Sequence, residues 1–457
     1  MRTVLRNASW VWTGTQLLEG ADITVIDGRI ASVQAASGNA PAQDTIDLDG
    51  CLVMPGLISL HHHFFQHVTR AWPGLHRAGA EHWLGGLYPV WGRMEPADIA
   101  AAARAAAAEL LLSGTTTCAD HAFMLRASGD ERLAAQIESV RALGLRQHLV
   151  RSGLPSLPGR FGALVDPEGP FLEQCRADVE RWHDPAPGSM VRLALGPSNV
   201  PYDKPGLMRA LAELAAEHDC GLHVHLHPRM AERELCRRLN GKEPIDFLDA
   251  AGWLRPGTWL AHCTQLDDHD TSMMAAHGVG IAHCPRTVLR LGYRVPPIHR
   301  WRAAGVRVGF GADGGASNDA GAFIADVRLG LLLHRAGTAD SATPERDWLL
   351  PEQALAMATR EAAAIVGRPE IGTLEPGACA DLAAFDLRGI DVAGALNEPL
   401  AGFLLAGSST RAKLTMVDGV VRVKEGQLVS ADEREIAAEC NARSRRLAGF
   451  LARGADR

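Results

Sequence analysis

The chain lacks the cysteine spacing of a structural zinc site. Its nine cysteines fall at irregular intervals and none forms a Cys-x-x-Cys pair. An odd number at such spacing argues against a disulfide framework and fits a reducing, cytoplasmic setting. A basic stripe is also missing: 46 Lys and Arg stand against 53 Asp and Glu, for a net charge of −7. Nucleic acid is therefore not an expected partner. No apolar run reaches the roughly 18 residues of a membrane span, so no membrane partner is expected either. The opening Met1-Arg2-Thr3-Val4-Leu5-Arg6 has no uninterrupted apolar core of a signal peptide. There is no internal repeat, and the alanine-rich stretch 100–108 is the one low-complexity segment. The remaining picture is a 457-residue chain, 47% hydrophobic and 22% charged. That composition is ordinary for a globular protein, and the length allows one large domain with an appendage.

The two ends share one grammar. Ile23-Thr24-Val25-Ile26 leads through Asp27-Gly28 into a second β-branched run, and Leu414-Thr415-Met416-Val417 leads through Asp418-Gly419 into another. Asp-Gly between such runs signals a hairpin. Residues 1–54 and 375–430 are therefore expected to form one small β-sandwich domain from both chain ends. Residues 431–457 would follow as a C-terminal helix over 431–453, packing through Ile436, Cys440, Leu447, Phe450 and Leu451. Between them, over 55–374, strands alternate with helices. A helix over 98–112 stops at Ser113-Gly114, glycine being the usual C-terminal stop. Strands are expected at 115–119, 147–150, 191–195, 222–225, 258–261, 279–282 and 306–310. With the strand before His61 these make eight β/α units, which fit a distorted (β/α)8 TIM barrel in an α/β protein. An open doubly wound sheet is the alternative, but no Gly-x-Gly-x-x-Gly follows a first strand.

The most informative stretch is Pro55-Gly56-Leu57-Ile58-Ser59-Leu60-His61-His62-His63. An apolar strand ends in three histidines, and strand alternation puts His61 and His63 on one face and His62 on the other. Two imidazoles side by side can occupy two corners of a metal's coordination sphere. A purification tag would sit at a terminus, and a solvated cluster would not follow a buried strand. The same kind of residue recurs at later strand ends: Asp120-His121, His225 and His227, His262, His283, and Asp313 in a glycine-rich segment. Barrel enzymes place catalytic residues at that end of their strands.

These motifs give a resemblance that runs nearly end to end. They comprise Pro-Gly-Leu-x-x-x-His-x-His at 55–63, Gly-Thr-Thr-Thr at 114–117, His-x-His-Leu at 223–226, Ala-His-Cys at 261–263, Ala-His-Cys-Pro at 282–285 and Ala-Ser-Asn-Asp at 316–319. The chain resembles the amidohydrolase superfamily, in its cytosine/guanine deaminase and chlorohydrolase branch. Within that branch the segments His61-His62-His63-Phe64-Phe65-Gln66, Leu87-Tyr88-Pro89-Val90-Trp91 and Gly311-Ala312-Asp313-Gly314-Gly315-Ala316-Ser317-Asn318-Asp319 make it most similar to 8-oxoguanine deaminases and hydroxytriazine aminohydrolases. The resemblance implies one divalent metal per chain on His61, His63, His225 and Asp313. Zinc comes first, with Fe2+, Mn2+ or Co2+ compatible with the same ligands. It also implies that Asp313 takes a proton from the attacking water and that His262 stabilises the developing tetrahedral centre. A homodimer is the expected assembly and a small heterocycle the expected substrate.

One departure from the family pattern matters. Deaminases of the branch carry a Glu three residues after the fifth-strand His; here that position is Pro228. His82 stands where a Glu often precedes Trp-Leu, and Arg286-Thr287-Val288 replaces a common Thr/Ser-Ser-Asn. Gln66, His82, Trp83, His121, His227 and Arg286 are the candidate substrate contacts, with His227, His82 or a water standing in for the missing acid. The reading that follows is a metal-dependent hydrolase that displaces an amino or alkylamino group from a small N-heterocycle such as a purine, pterin or triazine. The alternatives are the same architecture acting on a cyclic amide, carbamate or aryl chloride, and a metal-binding homologue without catalysis. The intact ligand set counts against the last.

Overall fold

The computed structural model describes residues 1–36, 44–125, 131–156, 164–336 and 345–454. Eight parallel strands form the barrel in chain order: β1 (Leu57–His62), β2 (Thr115–Ala122), β3 (Arg146–Arg151), β4 (Val191–Leu195), β5 (Gly221–Leu226), β6 (Thr258–His262), β7 (Gly280–His283) and β8 (Arg307–Phe310). Every strand expected from the sequence is present, displaced by a few residues at most. No ladder joins β8 to β1 among the described residues. The seam is instead bridged just beyond the strands, where Asp313 N donates to His61 O at 2.9 Å and Ala312 N to Ser59 Oγ at 3.1 Å. Four helices bear on the site and its support: α1 (Ala80–Trp91), α2 (Pro96–Leu112), α3 (Met230–Asn240) and α4 (Glu433–Gly454). The start of α2 is held by the Asp98 carboxylate, which accepts from Glu95 N at 2.7 Å, and Gly114 follows its end with φ +81°.

The chain ends meet in a β domain beside the barrel. Its strands run as one hydrogen-bonded path: Gln427–Leu428, Val420–Lys424, Leu414–Val417, Leu382–Asp386, Cys51–Pro55, Arg2–Trp12, Leu17–Ile26 and Arg29–Ala35, with Thr45–Asp47 added on Arg2–Trp12. Leu5, Ile23, Val53, Leu382 and Met416 share its apolar core, so neither end has a complete core alone. The apolar run before His61 is thus divided between two sheets, breaking at Gly56. A Cβ there would stand 2.1 Å from Thr116 Oγ1. Asp27 and Gly28 both have positive φ (48° and 77°), as do Asp418 and Gly419 (52° and 74°), the conformation a two-residue hairpin requires. The two tips touch, since a Cβ on Gly419 would lie 2.7 Å from Gly28 Cα.

The β domain is tied to the barrel by a buried ion pair. Arg146 on β3 donates Nε and Nη2 to the two Asp381 oxygens at 2.8 and 2.9 Å, and Asp381 also accepts from Asp418 N. The terminal helix α4 buries Ile436 and Leu447, and Arg446 reaches Asp98 at the start of α2. Cys440 and Phe450 are half-buried, while the side chain of Leu451 lies outside the described residues.

Candidate active site

β1 delivers His61 and His63 to the barrel mouth on one side, as strand alternation requires, while His62 turns away and packs against Phe64 and His67. β5 delivers His225, and the loop after β8 delivers Asp313. His63 Nε2 lies 3.2 Å from His225 Nε2 and 3.3 Å from Asp313 Oδ1, and His61 Nε2 lies 3.6 Å from the same oxygen. Ligands held 2.0–2.1 Å from a tetrahedral ion stand roughly 3.3 Å apart. The spacing is therefore that of one coordination sphere.

The hydrogen-bond partners behind these rings fix their tautomers. His63 Nδ1 faces the His121 carbonyl at 2.7 Å, and His225 Nδ1 faces the Ser198 carbonyl. A carbonyl only accepts, so each Nδ1 carries the proton and each Nε2 is a bare lone pair. Two lone pairs 3.2 Å apart cannot hydrogen-bond to each other, and a cation between them resolves the contact. His61 Nε2 is likewise buried without a hydrogen-bond partner. Burial is the main force holding the imidazoles of His61, His63 and His225 below the ordinary histidine range, although the Asp313 carboxylate opposes it for His63. Neutral rings are the ligating form. The residues present fit a divalent metal.

His262, at the end of β6, stacks on His225 with ring centroids 5.4 Å apart, and its Nε2 lies 3.9 Å from Asp313 Oδ2. His262 and Asp313 both adopt left-handed backbone, with φ +70° and +60°. Such conformations in non-glycine residues cluster at functional sites. Above them opens a cleft whose lining includes Gln66, Trp83, Tyr88, Phe123, Glu232 and Tyr293 as well as His63, His225, His262 and Asp313. Other concavities, such as the one between Arg328 and Arg411, hold none of these groups.

The remaining candidates separate. Gln66 and Trp83 line the cleft; Gln66 Oε1 accepts from Ala316 N at 3.3 Å, and Trp83 Nε1 donates to Ala316 O at 3.0 Å. His121 packs among the rings of His61, His63 and His225 and is grouped with them as a candidate metal-holding residue, but its Nε2 is beside Ser152 Oγ and the Pro197 carbonyl and it does not line the cleft. His82 is exposed on α1, and Arg286 is paired with Asp326 at 3.1 Å. His227 is buried with neither ring nitrogen hydrogen-bonded, nearest Asp270 Oδ2 at 4.0 Å. None of these three is among the cleft residues. Asp120 accepts from Phe64 N and Gln136 Nε2, a supporting role at the end of β2, and His283 faces His334.

Sequence reasoning passed over Glu232, Phe123, Asn199 and Tyr293, and met Tyr88 only as part of a family motif. Tyr88 follows Leu87 in the α1 segment that holds Trp83, and Glu232 is the first carboxylate after Pro228. Tyr293 carried no sequence signal.

Residues 52–422 match the amidohydrolase family. The chain is 38% identical over 439 residues to an 8-oxoguanine deaminase from Pseudomonas aeruginosa, covering 94% of this chain and 96% of the relative. It is 32% identical over 448 residues to the hydroxydechloroatrazine ethylaminohydrolase of Pseudomonas sp. strain ADP, covering 94% and 92%. Among solved structures, the atrazine chlorohydrolase of Arthrobacter aurescens TC1, complexed with zinc, superposes with a TM-score of 0.90 at 36% identity, covering 97% of this chain and 100% of the other.

Proposed function

The chain belongs to the amidohydrolase family, and from that premise we propose that it hydrolyses an amino or alkylamino substituent from a small N-heterocycle of the 8-oxopurine, pterin or hydroxytriazine kind. The observation that carries the reading is the meeting of the bare Nε2 atoms of His61 and His63 at Asp313 Oδ1, with His225 Nε2 3.2 Å from His63 Nε2, at the floor of an aromatic-walled cleft. His61, His63, His225 and Asp313 would hold one divalent cation per chain, zinc in the first place. Bound there, it supplies the Lewis acidity that makes water a nucleophile near neutral pH.

The side chains divide the remaining work. Trp83, Tyr88, Phe123 and Tyr293 sandwich a flat ring. With Gln66 Oε1 committed to Ala316 N, the amide nitrogen is the end offered to a ring carbonyl. Asp313 accepts the proton of the attacking water, and His262 donates to the oxygen that becomes anionic on attack. A homodimer in a reducing cytoplasm is the proposed setting. The first rests on family resemblance and the second on nine free thiols.

Zinc-loaded protein should release ammonia or amine from at least one of the three substrate classes. Asp313→Asn and His262→Asn should each cut that rate by about 10²–10⁴-fold, while His62→Ala costs far less. Metal-replete protein that turns over none of the classes overturns the reading. A second reading, displacement of chloride, is favoured by Pro228, because chloride leaves with its electron pair and needs no proton.

A further inference from the structure

Expelling an amine from a heterocycle needs a proton on the departing nitrogen, and the segment that follows His225, Leu226-His227-Pro228, holds no carboxyl to give it. Pro228 lines the cleft but offers only its carbonyl, which already accepts from Thr264 Oγ1 at 2.6 Å. His227 is turned away and does not line the cleft. Glu232 does line it, from the first turn of α3.

Resting on the amine-release reading above, we propose that Glu232 is the catalytic acid, delivering its proton to the leaving nitrogen in place of a residue at 228. Glu232 is 7% exposed. Its Oε1 is gripped by Arg229 Nη2 at 2.9 Å and Nε at 3.3 Å, whereas Oε2 is buried with no hydrogen-bond partner. A buried carboxyl oxygen left unsatisfied beside a substrate cleft is costly unless another group completes it. Glu232 shares the cleft with Tyr88, Tyr293, His63, His225, His262 and Asp313, and Arg229 is itself shared with Glu81 at 3.1 Å. Burial drives the carboxyl toward its protonated form, with the Arg229 guanidinium opposing and Glu81 assisting. In the step, water adds to the ring carbon and its proton passes to Asp313. The C–N bond then breaks, its electron pair stays on nitrogen, and the Glu232 proton completes the amine. The proton held by Asp313 returns to the Glu232 carboxylate, so amine and hydroxylated ring are the net products of substrate and water.

The test uses zinc-loaded full-length protein with an ethylamino-substituted hydroxytriazine and an amino-substituted 8-oxopurine. Glu232→Gln should lower kcat for amine release by about 10²–10³-fold with unchanged zinc content, and should abolish the alkaline limb of the pH profile. Arg229→Met, which leaves the acid but removes its cation, should move that limb to higher pH, and it decides the matter if Glu232→Gln fails to fold. Amine release within a few-fold of wild type in Glu232→Gln, or an alkaline limb unmoved by both variants, overturns the assignment alone. A wild-type enzyme that releases no amine overturns the functional reading and this assignment together.

Discussion

His61 Nδ1 lies 2.8 Å from His223 Nε2, and His223 Nδ1 lies 2.8 Å from the Trp259 carbonyl oxygen. The relay has one direction. The carbonyl accepts, so His223 carries its proton on Nδ1 and accepts at Nε2, and His61 must then donate from Nδ1. That leaves His61 Nε2 bare toward Asp313. An imidazole buried behind a ligand thus sets the ligand's tautomer. Partners of this kind are worth about 10–100-fold in metal affinity. His223→Phe should weaken zinc binding by that order in a chelator competition, with the fold intact by circular dichroism. Unchanged affinity would mean that His61 finds its tautomer without help.

The same burial makes the protein sensitive to acid when the metal is removed. Burial holds His223 and His227 at about 3, against an ordinary value of 6.5. Below 6.5 the unfolded chain takes up protons that the folded chain refuses, so stability falls as pH drops through the window from 6.5 to about 3. Each such ring contributes a slope of about 1.4 kcal/mol per pH unit. Chelated protein should therefore lose urea resistance steadily from pH 6.5 downward. His227→Gln, which touches no proposed ligand, should make the decline shallower by one proton's worth. An equally steep decline in that variant would show that His227 does not refuse its proton.

The sequence made the barrel legible because its strands are short apolar runs ending in ligand-type residues, and β1, β2 and β5 to β8 each end near one. The hairpin tips were legible from Asp27-Gly28 and Asp418-Gly419, since the turn geometry demands those residues. The contact that fixes the break at Gly56 was not legible, because it is made by Thr116, sixty positions on. Strand parity separated His61 and His63 from His62, whereas His223, His225 and His227 share one parity and the choice of His225 among them came from the family resemblance. The cleft walls could not be picked out: His82 and His227 neighbour the right residues in sequence, yet helix and loop geometry turn one to solvent and the other into the interior. Glu232 enters the cleft only through the way α3 starts.

Among the contacts that dock the β domain is the pair Arg146 and Asp381, 0% and 1% exposed at their side chains. Removing one member of a buried pair leaves an uncompensated charge, at about 3–5 kcal/mol. Asp381→Ala should destabilise the chain by that amount in equilibrium unfolding, and Asp381→Asn, which still accepts a hydrogen bond, by less. The loss should appear in a single transition, because the Cys51–Pro55 strand of the β domain runs through Gly56 directly into β1. A separate early transition would show the two sheets unfolding independently.

The proline at 228 allows the choice of acid to be reversed. Its carbonyl is held by Thr264 Oγ1 and the residue lines the cleft, so Pro228→Glu introduces a carboxyl there while the backbone contact persists. In the Glu232→Gln background this change should recover a measurable part of the lost amine release, since a proton donor near neutral pH is what the leaving nitrogen lacks. In the wild-type background it should add little, because one donor suffices for one departing amine. The comparison is made on kcat at matched zinc content, so that recovered metal binding cannot pass for recovered chemistry. Recovery would show that the acid's identity matters more than its place in the chain. No recovery at full zinc content would mean that only the α3 position aligns with the leaving group.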